Sequence, residues 1–188
     1  VDQARAELDR LVTAYAPFAT RGVPIVGLEP SCLLTLRDEL LSLRSDSDAK
    51  KVSAHALLFE EFLVREAETD QLKLPLGAID KNALVHGHCH QKAFGVVDPI
   101  LEVLRLIPGA KPQLIDSSCC GMAGTFGLEA EHVDYSHQMA QQSLVPALQA
   151  APNALVVSNG FGCAHQIKVT AQRSTLHLAT LLRQALAE

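Results

Sequence analysis

The sequence predicts an α/β fold, a mostly parallel sheet with flanking helices, and three observations lead there. Short apolar runs recur along the 188 residues. Each run is followed by a segment with helical periodicity, and alternation of this kind is the mark of parallel strands joined through helices. Gly, Pro or Ser stands at most of the switches between the two patterns.

In chain order, residues 1–21 carry an amphipathic helical pattern, and residues 23–28 read as a buried strand. Leu33, Leu36, Leu40 and Leu43 share one face, which predicts a helix over 33–43. A second helix is expected over 49–67, where Val52, His55, Ala56, Phe59, Phe62 and Leu63 keep the same spacing. Residues 69–82, with Pro75 and Gly77, read as a connector. Strands are then expected at 83–85, 113–115 and 154–157, and helices at 99–107, 129–150 and 174–187. Asp98-Pro99 reads as an N-cap and first helical residue, and Pro108-Gly109 as the stop.

Composition excludes several classes. With 48% hydrophobic and 20% charged residues the chain can bury enough apolar surface to fold. The longest stretch without Asp, Glu, Lys or Arg, residues 135–167, is interrupted by Ser, His, Gln, Pro and Asn, so no transmembrane segment is expected. A net charge of -5 and the absence of Trp argue against nucleic acid as a partner. Five cysteines fit no closed disulfide framework, and with no signal peptide legible the expected location is the cytoplasm, peripheral membrane association included.

Cys32, Cys89, Cys119, Cys120 and Cys163 all fall where an apolar run gives way to a turn. In an open α/β sheet, residues beyond the carboxyl ends of strands converge on one edge, where ligands bind. Thiolates gathered there point to a soft metal: an iron–sulfur cluster or, with His, zinc. More than four cysteines favour the cluster. Any one Cys alone reads as core, but an adjacent pair can reach one ion only from a turn, and Gly121, Gly124 and Gly127 supply permissive backbone beside Cys119 and Cys120. The glycine spacing matches neither the dinucleotide fingerprint nor the P-loop. His86, His88 and His90 would lie on one face of a continued strand, opposite Cys89, so each reads first as structural or supporting; Lys92 can place positive charge beside an anionic cluster.

One internal similarity stands out. A helix, a break, an apolar strand and a turn ending in Cys occur at residues 1–32 and again at 132–163. The second copy is preceded by two further strand-plus-cysteine units, which predicts one complete and one truncated repeat and a polypeptide that begins upstream of Val1.

His88-Cys89-His90-Gln91-Lys92, Cys119-Cys120-Gly121-Met122-Ala123-Gly124-Thr125-Phe126-Gly127 and Gly160-Phe161-Gly162-Cys163-Ala164-His165-Gln166 together resemble the cysteine-rich CCG domain family. That family includes the cysteine-rich subunit of heterodisulfide reductase and the iron–sulfur subunits of glycolate oxidase and anaerobic glycerol-3-phosphate dehydrogenase. The chain looks most like the carboxy-terminal part of FAD-linked D-lactate and D-2-hydroxyglutarate dehydrogenases. The resemblance implies that residues 1–68 end a first CCG repeat and residues 83–188 form the second. It implies Cys89, Cys119, Cys120 and Cys163 as metal ligands, with Cys32 as the late cysteine of the first repeat. Gly121, Gly124, His88 and Lys92 are the implied cofactor-binding neighbours. Where the reductase has a final Cys-x-x-Cys, this chain has Gln166, so a four-cysteine cluster, with Cys32 or a histidine as the ligand it could borrow, is expected in place of a five-cysteine one. The expected group is a 4Fe-4S cluster that zinc can replace after aerobic purification. The implied function is electron transfer within a flavin-dependent 2-hydroxyacid oxidoreductase. FAD would sit in the parent, flavin and ferredoxin-like domains would be the partners, and a quinone or another carrier the acceptor. The fragment itself would not be catalytic. A zinc-stabilised interaction domain of the same parent is the alternative, and a thiol enzyme using Cys119 or Cys120 with His86 or His88 is a third reading.

Overall fold

The computed structural model describes residues 1–187 and divides into two compact units, Val1–Phe62 and Leu63–Glu188. Both are short parallel sheets flanked by helices.

The first unit opens with α1 (Asp2–Thr20), whose Leu8, Val12, Ala16 and Ala19 are buried at helical spacing. Next come β1 (Ile25–Gly27), α2 (Pro30–Leu34), α3 (Glu39–Leu43), α4 (Ser47–His55) and β2 (Ala56–Leu58). β1 and β2 pair in parallel, Val26 opposite Leu57. The helix expected over 33–43 is split, because residues 36–38 tighten: Leu36 and Arg37 bond to carbonyls three residues back. The helix expected over 49–67 is split as well. Arg37 donates from Nε (2.8 Å) and Nη2 (2.6 Å) to the Ala56 carbonyl, and Glu61 Oε2 accepts the Leu58 N–H at 2.8 Å. Those backbone groups are thereby withdrawn from helix, and Ala-Leu-Leu becomes a strand despite helical periodicity. Asp46 caps α4, accepting from the N–H groups of Asp48 (3.0 Å) and Ala49 (3.2 Å). α5 (Phe59–Glu68) runs on from β2.

The second unit holds β3 (Asn82–Val85), α6 (Cys89–Ala93), α7 (Asp98–Arg105), β4 (Lys111–Leu114), a 3-10 turn (Phe126–Leu128), α8 (Val133–Gln142), α9 (Leu144–Ala150), β5 (Leu155–Val157), α10 (Phe161–Ala171) and α11 (Leu178–Ala185). Its sheet has the order β4-β3-β5, all parallel. β4 is exposed along most of its length and carries Pro112, as suits an edge strand. Asp98 is the first residue of α7, with Val97 before it in the capping position expected of Asp98. The helix expected over 129–150 breaks at Ser143, since Pro146 has no N–H to give the Gln142 carbonyl. The last helix starts later than the periodicity indicates, at Leu178, because Leu176 is taken up by Val157 in a parallel bridge and His177 caps the helix by accepting the Ala179 N–H at 3.0 Å.

The chain order thus runs outward from β3 to β4 and returns past it to β5. The loops after β3 and β5 flank the point where the order reverses, the crevice in which open α/β sheets take ligands. No helix among the described residues is long and apolar enough to cross a membrane.

Candidate metal centre

The four cysteines of the second unit lie just beyond strand ends. β3 stops at Val85, so the residues from His86 to His90 leave the sheet and the alternation expected of a continued strand no longer applies. His88 caps α6: its Nδ1 accepts the His90 N–H at 3.2 Å, and Gln91 Oε1 accepts the His88 N–H at 3.0 Å. That box sets Cys89 as the first residue of α6, half-buried, its sulfur 3.9 Å from His88 Nδ1.

Cys119 and Cys120 occupy the turn after β4. Cys120 is 3% exposed and packs in the core with Leu84, Ile115, Met122, Leu144 and Ile167; Cys119 is half-buried. Gly121 is obligatory at this turn. Its φ is +97°, and a Cβ there would collide with the Ser136 carbonyl oxygen and stand 3.1 Å from Gln166 Nε2. Gln166, fully buried, donates from Nε2 to that carbonyl and to Ser136 Oγ, both at 2.9 Å, tying α10 to α8 around the turn. Gly124 sits three residues on at φ +66° with open space beside it.

Cys163 is the third residue of α10, 3% exposed, where the first N–H groups of the helix favour negative charge. Its sulfur is 3.4 Å from that of Cys120. Gly160 makes room for this approach, since a Cβ on it would lie 2.6 Å from His88 Cδ2 and 3.3 Å from Cys163 Sγ.

His86 joins these two. A ring nitrogen of His86 and the sulfurs of Cys120 and Cys163 lie within 4.8 Å of one another, all three residues buried, a donor set that can hold a metal ion. Among the described residues the buried Nε2 atom of His86 has no oxygen or nitrogen partner, while the ring bears on the Cys163 sulfur and helps to hold its pKa down. A buried polar atom in that condition requires an explanation, and a bound cation supplies one.

The thiols divide their charge unevenly. Cys120 donates to Cys119 and to Cys163, which raises its own pKa far above the ordinary thiol value, with burial acting in the same direction. The Cys163 thiol is held down to about 5, first by the hydrogen bond from Cys120 and against burial. Cys119 is lowered by hydrogen bonds from Cys120 and then Cys89, helped by the Gly121 N–H at 3.3 Å; Cys89 is raised by its bond to Cys119 and by burial. Lys92, half-buried, donates from Nζ to the carbonyls of Ser117 and Ser118 (2.9 Å for the latter) and to Ser117 Oγ at 3.3 Å, bracing the loop that leads into the cysteine pair. Burial lowers its pKa, and the neighbouring cysteines oppose that shift.

Of the site residues the sequence points to, Cys120 and Cys163 are brought into direct sulfur contact, Cys119 and Cys89 interact with each other, and Lys92 bears on the loop between them. Cys32 belongs to the first unit, where it is exposed on α2 beside Leu11, Tyr15 and Ile25. His86, which the strand pattern assigns a structural or supporting place, is the further member of the donor group.

The chain is similar to a subunit of the anaerobic glycerol-3-phosphate dehydrogenase of Escherichia coli K12, 32% identical over 187 residues, which is 99% of this chain and 46% of that protein. It is also similar to D-2-hydroxyglutarate dehydrogenases, 28% identical over 164 residues in Pantoea ananatis and 30% over 152 in Escherichia coli K12, covering 16% and 14% of those proteins. The chain therefore spans about half the length of the first relative and a small part of the others. No family model matches, and no solved structure matches at a significant level.

Proposed function

We propose that this chain is an iron–sulfur electron-transfer domain of a multidomain, flavin-dependent 2-hydroxyacid dehydrogenase, passing electrons from FAD toward a quinone or another acceptor. The observation that carries the reading is the convergence of buried Cys120 and Cys163 with His86 at the switch point of a parallel sheet. It occurs in a chain similar along nearly its whole length to a subunit of one dehydrogenase and to part of another.

Cys89, Cys119, Cys120 and Cys163 are the thiolate donors of this reading. When bound, an iron–sulfur cluster supplies reversible electron uptake with no bond-making in the protein. The chain's own residues hold and tune. The Gly121 N–H aimed at the Cys119 sulfur and the Lys92 ammonium beside the thiolates both favour added negative charge, which acts to raise a potential. Burial of Cys120 and Cys163 keeps water from the sulfurs. Gly121 and Gly160 let backbone approach where any larger residue would fill the space. Gly124 and His88 act at one remove, shaping the turn and capping α6. The two-repeat reading draws support from a shared feature of the units: β1 pairs in parallel with β2, and β5 with Leu176, each partner following in sequence.

Iron and acid-labile sulfide analysis with electron paramagnetic resonance, on protein made and reconstituted without oxygen, tests the proposal. A brown species with stoichiometric iron and sulfide, lost in Cys163→Ser, is expected; wild-type protein that stays colourless and retains no iron refutes it. The similarity to dehydrogenases does not favour a zinc-stabilised interaction domain, which would bind zinc and stay colourless in the same experiment.

A further inference from the structure

We propose that His86 is itself a ligand of the metal centre, so that the bound group is held by imidazole and thiolate together; this rests on the metal-binding reading above. The residue is fixed from both ends. Its backbone N–H still bonds to the Val157 carbonyl at 2.9 Å, so the side chain starts from sheet register although β3 has ended. His86 is 1% exposed. Nδ1 lies 3.1 Å from Ser117 Oγ, and that hydroxyl also accepts from Lys92 Nζ. With Nδ1–H donated to Ser117 Oγ, Nε2 carries the lone pair. Nε2 is also the nitrogen with no oxygen or nitrogen partner among the described residues, on a ring whose neighbours are the Cys120 and Cys163 sulfurs. A ligating histidine ordinarily shows this arrangement: one nitrogen to the metal, the other N–H to an oxygen that fixes tautomer and ring orientation.

Two other uses of the ring fit less well. A histidine serving only to fill the core would have both nitrogens satisfied, as buried polar atoms generally are. A histidine activating a nucleophilic cysteine needs a sulfur that substrate can reach, whereas Cys120 and Cys163 are each 3% exposed. Of the neighbouring histidines, His90 also has a buried nitrogen, Nδ1, without a partner among the described residues, so it is position that separates them. The ring of His88 accepts the His90 N–H in capping α6, and neither His88 nor His90 belongs to the buried donor group. The consequence is a shift in redox poise. With His86 bound, one of the four cysteines named above is not a ligand, and a neutral imidazole in place of that thiolate leaves an iron–sulfur centre less negative, which raises its potential above that of an all-cysteine site. Such a centre is suited to take electrons from a donor of lower potential and release them to an acceptor of higher potential.

Pulsed electron paramagnetic resonance on the full chain, reconstituted with ferrous iron and sulfide and then reduced, tests this. Strong hyperfine coupling to a bound nitrogen is expected, changing to the 15N pattern when only histidine is 15N-labelled. It should vanish in His86→Cys while iron is retained and the midpoint potential falls, and survive in His88→Ala. The wild-type labelling result stands even where a His86 variant fails to fold. A cluster without histidine coupling, or coupling that persists in His86→Cys, overturns the assignment and leaves the metal-binding reading intact; failure of the wild type to retain iron overturns both.

Discussion

Gly121→Ala is the sharpest structural test of the cysteine turn. Two costs are added. An alanine held at φ +97° is in the left-handed half of backbone space, at roughly 1–2 kcal/mol. Its Cβ would also drive back the Ser136 carbonyl, an acceptor for the buried Gln166 amide, and leaving that buried donor unsatisfied costs roughly 1–3 kcal/mol. Together the substitution should destabilise the second unit by about 2–5 kcal/mol, a fall in Tm of roughly 5–20 °C for a chain of this size. Gly124→Ala is the internal control, because Gly124 also has positive φ, +66°, but nothing within 4 Å of the added methyl. It should show only the backbone cost of about 1–2 kcal/mol. Urea unfolding of the metal-free chain, followed by far-ultraviolet circular dichroism, measures both. Equal losses in the two variants, or a Gly121→Ala loss below about 0.5 kcal/mol, would refute the close approach between the cysteine turn and α8.

In the first unit, Arg37 and Glu61 form a two-pronged pair, 2.6 and 3.1 Å, with side chains 16% and 15% exposed. Glu61→Gln should cost about 2–3 kcal/mol by urea unfolding, somewhat less than a fully buried pair; a change within about 0.5 kcal/mol would show that β2 does not depend on it. Asp46 is held at about 2, below its ordinary value of 3.8, by the Arg44 hydrogen bond and then by the Ala49 N–H. A carboxyl with a lowered folded pKa stabilises above its unfolded value and loses that contribution as pH falls through the folded one. Wild type should therefore lose stability between about pH 4 and pH 2 more steeply than Asp46→Asn in an acid titration followed by circular dichroism. Finally, Cys120→Ser and Cys163→Ser should abolish uptake of Co(II) with sulfur-to-metal absorption, while Cys32→Ser leaves it unchanged; equal loss in all three would place Cys32 in the same centre.

The parts of the fold that are legible in the sequence are those where local pattern and tertiary pairing agree. Residues 154–157 are apolar, β-branched in part and bounded by Asn153 and Ser158, and β5 forms there. β2 is illegible for the opposite reason. Ala56, Leu57 and Leu58 lie inside a helical pattern that runs on through Phe59, and the Arg37 guanidinium on the Ala56 carbonyl, with Glu61 on the Leu58 N–H, draws them out to pair with β1. Both partners are distant in sequence or act through side chains that periodicity does not weigh. For the same reason two separate short sheets read as one.

At the metal centre backbone geometry is the most informative signal in the sequence. Adjacent cysteines on a strand face opposite ways, so a shared site requires a turn, and Cys119 and Cys120 do lie past the end of β4. The histidines depart from the expected pattern because β3 does not run on through His90; the sheet ends at Val85. Once the strand ends, the three rings separate by environment. His88 turns to cap the helix that begins at Cys89, while His86, still anchored by the Val157 carbonyl, sends its ring into the buried space of Cys120 and Cys163. A signal for this is present in the sequence. His86 directly follows the run Ala-Leu-Val, and a polar residue in that place, where an apolar strand meets the loops at its carboxyl end, is positioned to face whatever those loops enclose. Spacing to the nearest cysteine points to His88 instead. In a parallel sheet the donors that meet are the ones at equivalent heights on neighbouring strands, and these are far apart in sequence.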